Sequence, residues 1–193
     1  MQALLALIVA LGLQIAVNYS NDYSDGIRGT DDVRVGPTRL TASGLASAKA
    51  VKRAAFLSFG VACVAGLLLA SISSWWILIV GAISILAAWG YTGGHTPYGY
   101  RGFGELSVFT FFGVVATVGT YYVQTLEFST AAFAASVSMG SLSCALLVIN
   151  NIRDRAQDAQ VGKKTLAVRL GDENARKFFI DRKSTRLNSS HRL

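Results

Sequence analysis

The chain has 193 residues, 52% of them hydrophobic and 15% charged, with a mean hydropathy of +0.42 and a formal net charge of +7 at pH 7. A soluble domain carries about 25% charged residues, and here the deficit falls in whole windows that carry no charge. This excludes an ordinary soluble domain and predicts an all-α, polytopic membrane helix bundle.

Five apolar spans follow in order, at 2–17, 54–72, 74–91, 106–126 and 129–149. About 20 apolar residues cross a bilayer core. The first span is short, with no basic segment before it and no small-residue cleavage site after it. It reads as a helix whose beginning or N-terminal neighbour is missing, not as a signal peptide. The loop after it carries Arg28, Arg34, Arg39, Lys49, Lys52 and Arg53. The next turn has no cation, the third loop has Arg101, and the turn near Glu127 has none. Arg153, Arg155, Lys163, Lys164 and Arg169 follow the last span. Basic residues therefore occupy alternate loops, and the positive-inside rule places those loops in the cytoplasm. Trp75 and Trp76 read as anchors at the opposite interface. Cys63 and Cys144 read as small packing residues within spans, and His95 as a solvated loop residue.

The first and last spans each run into an acidic cluster. Asn18, Asp22 and Asp25 stand at i, i+4 and i+7, and Asn150, Asp154 and Asp158 at i, i+4 and i+8. Each set shares one helix face. A glycine and then a cation follow each cluster, Gly26 with Arg28 and Gly162 with Lys163. The two segments thus read as a weak internal repeat, as in membrane proteins built from duplicated helix sets. Carboxylates spaced i, i+4 repel, so a compensating ligand is expected. An all-oxygen donor set suits Mg²⁺, which takes one or two carboxylates, waters and phosphate oxygens. Two clusters on the cytoplasmic side predict two ions with a diphosphate between them. Arg28, Arg39, Lys163 and Lys164 are then the candidates for the remaining phosphate oxygens. The competing reading is two ordinary charged helix ends.

The third loop, Tyr91 to Glu105, holds five glycines and one proline and is expected to be irregular. Its tyrosines either face a cation and donate hydrogen bonds or form an interfacial aromatic belt. From Asp181 onward the sequence turns abruptly polar and resembles the translation of a sequencing adapter. Residues 181–193 are therefore expected to be a non-native tail, with 1–180 a partial membrane domain. The tail supplies +3 of the net charge. The remaining +4 suits basic cytoplasmic loops and gives no argument for nucleic acid.

Three stretches carry a resemblance: Asn18 to Gly44 ("NYSNDYSDGIRGTD" and "GPTRLTASG"), Tyr91 to Glu105 ("YTGGHTPYGYRGFGE"), and Asn150 to Gly171 ("NNIRDRAQDAQVGKKTLAVRLG"). Over roughly residues 2–180 the chain resembles the UbiA superfamily of membrane prenyltransferases, in its naphthoate-accepting branch. The resemblance implies nine transmembrane helices around a cavity, with two aspartate-rich motifs at its cytoplasmic mouth. The five spans would be the second to the sixth, with the first and the last three absent.

Asn21, Asp22 and Asp25 match the first motif. The broader family's third aspartate falls at Gly29 and is not matched, and Asp31 is a feature of the naphthoate branch. Asp154 and Asp158 match the second motif. Asn18 and Asn150 would assist at the metal–diphosphate site, and Tyr91, Tyr98, Tyr100 and Arg101 belong to the loop over the aromatic acceptor. The implied reaction is Mg²⁺-dependent transfer of a polyprenyl group from polyprenyl diphosphate to 1,4-dihydroxy-2-naphthoate. It proceeds with loss of CO₂ to give demethylmenaquinone, and Asp22, Asp25, Asp154 and Asp158 are its catalytic residues. The setting implied is a bacterial plasma membrane, with the protein embedded in the lipid bilayer. The rivals are a UbiA branch acting on 4-hydroxybenzoate or homogentisate, a fragment inactive by itself, and a transporter. A transporter predicts charges in the middle of spans, whereas these stand at span ends.

Overall fold

The computed structural model describes residues 1–31 and 36–190, with side chains to residue 180. Arg34 and the last three residues of the expected tail lie outside the described residues. Every regular element among the described residues is helical.

Among the described residues four helical runs are long and apolar enough to cross a membrane: α1 (Gln2–Ile27), α2 (Ala48–Ile72), the run Gly104–Thr125, and α6 (Thr130–Gln160). The expected span at 74–91 is shorter than foreseen. It forms α3, Ile77–Gly90, of 14 residues. At 1.5 Å per residue α3 is about 21 Å long, against a hydrocarbon core of about 30 Å. Trp75 and Trp76 are drawn out of the helix into a turn, where both are exposed. The chain divides into two compact units, Met1–Pro97 and Tyr98–Leu193.

In the first unit α1 and α2 run in opposite directions. Gly12 meets Ser58 and Ala62, while Val9 meets Gly66. The interface is made of small residues, which let two backbones approach closely. Ala16, Ala55, Ala62 and Ala65 are buried there. A Cβ on Gly12 would stand 3.0 Å from the Ala62 Cβ, so any larger residue would force the helices apart. Ser47 caps α2 by accepting from the Ala50 amide at 3.3 Å. Trp89 of α3 stacks on Tyr23 of α1 and lies against Phe56 of α2.

In the second unit a short 3₁₀ turn, Tyr98–Arg101, leads into the run Gly104–Thr125. That run is not a uniform α-helix. α4 (Gly104–Val108) passes through a π-helical segment, Phe109–Val115, into α5 (Ala116–Thr125). The π turn coincides with a close crossing against α6. A Cβ on Gly113 would lie 2.6 Å from the Gly140 Cα, and one on Gly140 would lie 2.7 Å from the Phe109 ring. The wider turn seats Phe109 and Gly113 on the same small residue of α6. Cys144 is buried near this crossing, whereas Cys63 is exposed on α2, so only Cys144 packs internally as expected. The last helix, α7 (Leu166–Ser190), is interrupted at Gly171, whose φ of 76° and ψ of 173° are not helical.

Candidate functional site

Both aspartate clusters are helical. α1 continues past residue 17 to Ile27, and α6 continues past residue 149 to Gln160. Each helix then ends in the same cap. In α1 the Thr30 amide bonds the Asp25 carbonyl at 3.1 Å and the Gly29 amide bonds the Gly26 carbonyl at 3.3 Å. In α6 the Lys163 amide bonds the Asp158 carbonyl at 2.8 Å and the Gly162 amide bonds the Ala159 carbonyl at 3.4 Å. Gly29 and Gly162 supply the left-handed residue that such a cap requires, with φ of 69° and 78°.

This shifts the register of the expected repeat. Gly26 lies inside α1, where a Cβ would clash with Thr41 at 2.5 Å. The counterpart of Gly162 is Gly29, four residues after Asp25 as Gly162 is four after Asp158. On that register Asn18 corresponds to Asn151, each seven residues before its aspartate. The unmatched third aspartate falls within this cap. Its position is Gly29, whose φ of 69° favours glycine.

In the first unit Asp22 and Asp25 are buried and Asn18 is exposed. Asp22 accepts two backbone amides, Leu40 on Oδ2 at 2.8 Å and Thr41 on Oδ1 at 2.9 Å. Its carboxylate therefore fastens the loop after the motif to α1, and Gly26 makes room for Thr41. Arg39, on the same loop, pairs with the buried Asp31 at 3.5 Å. Asn18 donates back to the Gln14 carbonyl at 2.8 Å. Asn21 accepts from the buried Thr92 hydroxyl at 2.8 Å, and Arg28 donates to the Thr92 and Gly94 carbonyls. The start of the Tyr91 loop, with Tyr91 partly buried, is thus seated on the first motif.

In the second unit the end of that loop is seated on the second motif. The Lys164 amide bonds the Tyr100 carbonyl at 2.8 Å, and the Lys163 ammonium stands 4.8 Å from the centre of the Tyr100 ring. Gly102, at φ 80°, leaves room for Arg169 and for the Lys164 carbonyl. The Tyr98 hydroxyl lies 2.9 Å from the Ser107 hydroxyl. Burial pushes the Tyr98 phenol up, and the Ser107 hydrogen bond works against that shift. Arg101 and Asn150 are exposed. Asp158 is buried, and Asp154 is held by Arg153 at 2.6 and 2.8 Å. The Lys164 ammonium has no partner among the described residues.

Two residues of this region were not among the expected ones. Glu105 is buried; its Oε1 accepts from the Asn151 amide at 3.1 Å and its carbonyl accepts from the Cys144 thiol at 3.1 Å. A lone acid opening an apolar helix was the signal for Glu105, and the seven-residue spacing to Asp158 was the signal for Asn151.

The donor chemistry suits a hard cation. Each motif offers two aspartates with asparagines nearby, all oxygen ligands. Among the described residues no group of three or more His, Cys, Asp or Glu side chains is placed to hold a metal. Mg²⁺ needs only one or two carboxylates when phosphate oxygens and water complete its shell, so the residues fit an ion that arrives with a phosphorylated ligand.

The model of the UbiA prenyltransferase family matches residues 1–180. The chain is 56% identical over 178 residues to a Mycobacterium tuberculosis protein named 1,4-dihydroxy-2-naphthoate octaprenyltransferase, covering 92% of this chain and 61% of that protein. A Mycobacterium leprae protein of the same name is 54% identical over 178 residues, covering 92% and 60%. One from Escherichia coli is 41% identical over 183 residues, covering 91% and 59%. The chain thus spans less than two thirds of the length of these curated relatives. No solved structure matches it.

Proposed function

The chain belongs to the UbiA prenyltransferase family, and on that premise we propose that it serves the Mg²⁺-dependent transfer of a polyprenyl group from polyprenyl diphosphate to 1,4-dihydroxy-2-naphthoate. The observation that carries this reading is the pair of helix-terminal aspartate motifs with the same glycine cap, in a chain 56% identical to a relative that bears the naphthoate name.

Asp22, Asp25, Asp154 and Asp158 are the carboxylates proposed to hold Mg²⁺, with Asn18, Asn21, Asn150 and Asp31 assisting. Bound with the diphosphate, the metal supplies positive charge that favours departure of the leaving group. Lys163 and Lys164 donate to phosphate oxygens, Lys164 with an uncommitted ammonium. Arg28 and Arg39 are slower to serve, since the first already holds two carbonyls and the second pairs with Asp31. Apolar helices keep water from the allylic cation. Tyr91, Tyr98, Tyr100 and Arg101 hold the acceptor close to it. The ring carbon bearing the carboxyl group forms the new C–C bond, and the carboxyl leaves as CO₂, returning its electron pair to the ring. The protein spans the bilayer several times, with both motifs on its cytoplasmic side.

The test is an acceptor panel in membranes that carry the full-length gene product, with polyprenyl diphosphate and Mg²⁺. Turnover of 1,4-dihydroxy-2-naphthoate with release of CO₂ is expected. Turnover of 4-hydroxybenzoate or homogentisate instead would keep the chemistry and overturn the acceptor.

A further inference from the structure

The first unit carries, apart from its aspartate motif, a groove of 1130 Å³ along the α1–α2 hairpin. Val61, Val64 and Leu68 of α2 line its apolar length, together with Leu5 and Ile8 of α1. Gly60 opens it further, since nothing lies within 4 Å of where its Cβ would stand. One end is different in kind. Lys49, Lys52 and Arg53 converge there from the first turns of α2. The three stand at i, i+3 and i+4, so they share one face.

These cations are not neutralised. None of the three is in an ion pair among the described residues. Lys49 and Arg53 are exposed, and the Lys52 ammonium lies 5.3 Å from the centre of the Tyr23 ring. Among the described residues the groove lining contains no Asp or Glu. From Lys49 to Leu68 the stripe is about 28 Å long at 1.5 Å per residue, long enough to seat an acyl chain of one leaflet in a core about 30 Å thick.

We propose that this groove is a binding site for an anionic phospholipid, with the phosphate held by Lys49, Lys52 and Arg53 and an acyl chain laid along Val61, Val64 and Leu68. Charge complementarity selects the headgroup, since cations beside the membrane surface attract anionic lipid. The same lining disfavours a prenyl diphosphate carried with a metal ion, because no carboxylate is there to hold the metal. The proposal does not depend on the prenyl transfer proposed above.

The full-length gene product, purified in a neutral detergent, is mixed with equal amounts of phosphatidylglycerol and phosphatidylcholine, and retained lipid is counted by native mass spectrometry. Phosphatidylglycerol is expected to be retained in preference. The double variant Lys49→Gln, Arg53→Gln changes only exposed residues and should lower that preference at least about tenfold. Gly60→Trp, with helix content checked by circular dichroism, should reduce retention of both lipids by filling the groove. Equal retention of the two lipids, or a preference unchanged in the double variant, would overturn the proposal. Displacement of phosphatidylglycerol by equimolar polyprenyl diphosphate in EDTA would also overturn it and assign the groove to the prenyl donor.

Discussion

Asp25 and Asp158 occupy the same place in two different helices, each with its carbonyl bonded to the amide five residues on and a left-handed glycine four residues on. Helix electrostatics disfavours carboxylates there. The C-terminal turn carries partial negative charge, and an acid near it costs about 0.3–1 kcal/mol. Asp154 precedes Asp158 by four residues and adds repulsion of a few tenths of a kcal/mol. Both helices thus end with acids where cations would be favoured, which gives a bound cation something to offset.

The caps themselves are testable. The Cβ position of Gly162 meets nothing within 4 Å, so Gly162→Ala isolates the cost of a positive φ. That cost is about 1–2 kcal/mol. The variant is expected to unfold at lower denaturant than the parent chain, and Gly162→Asn, which tolerates the left-handed region, should recover part of the loss. Equal midpoints for all three would show that the cap contributes nothing.

Asp22 has a structural task besides any role with a metal. Removing its carboxylate leaves two amides, those of Leu40 and Thr41, without their acceptors. A fully buried unsatisfied group costs about 1–3 kcal/mol, and these part-buried amides cost less. Hydrogen exchange at Leu40 and Thr41 is expected to accelerate in Asp22→Ala and to remain slow at one of the two amides in Asp22→Asn. Unchanged protection in the alanine variant would contradict the hydrogen bonds.

The Glu105–Asn151 contact predicts coupling between the end of the aromatic loop and the second motif. In a double-mutant cycle of Glu105→Ala and Asn151→Ala, the two losses of stability should fail to add by about 1–3 kcal/mol. Simple additivity would mean the hydrogen bond is not formed.

Much of this was legible in the residues. Charge-free windows gave the helical class, and the aspartate spacings gave helical faces. The length of α3 was not legible, because hydropathy does not mark where Ser73, Ser74, Trp75 and Trp76 stop being helical. The pairing of Gly26 with Gly162 failed for a related reason. Which glycine ends a helix depends on the cap hydrogen bonds, and Gly26 serves close packing against Thr41 instead. Glu105 and Asn151 each carry a weak signal, but their pairing is not legible, because it depends on the fold bringing α4 and α6 together. The Asp22 contacts join residues 18 and 19 positions apart through backbone amides, which carry no side-chain signature.

Tyr98 gives a pH dependence. Its folded-state phenol ionises above the ordinary value because it is partly buried. The neutral form is thus favoured by folding, so its contribution is fully present below the unfolded phenol pKa and is lost as pH rises through the higher folded value. Stability of the parent chain should fall on raising the pH beyond about 10, and by less in Tyr98→Phe. Identical alkaline profiles would remove Tyr98 as the source.

The most direct measurement is prenylated naphthoquinol formation by the full-length protein, read as the quinone after air oxidation, with and without Mg²⁺, for the parent and for Asp25→Asn and Asp158→Asn. The account predicts Mg²⁺-dependent product, with each variant slowed by about 10²–10³, as for loss of one electrostatic stabiliser, while remaining folded. Folded variants that keep the parent rate, or product formed equally well in EDTA, would contradict it.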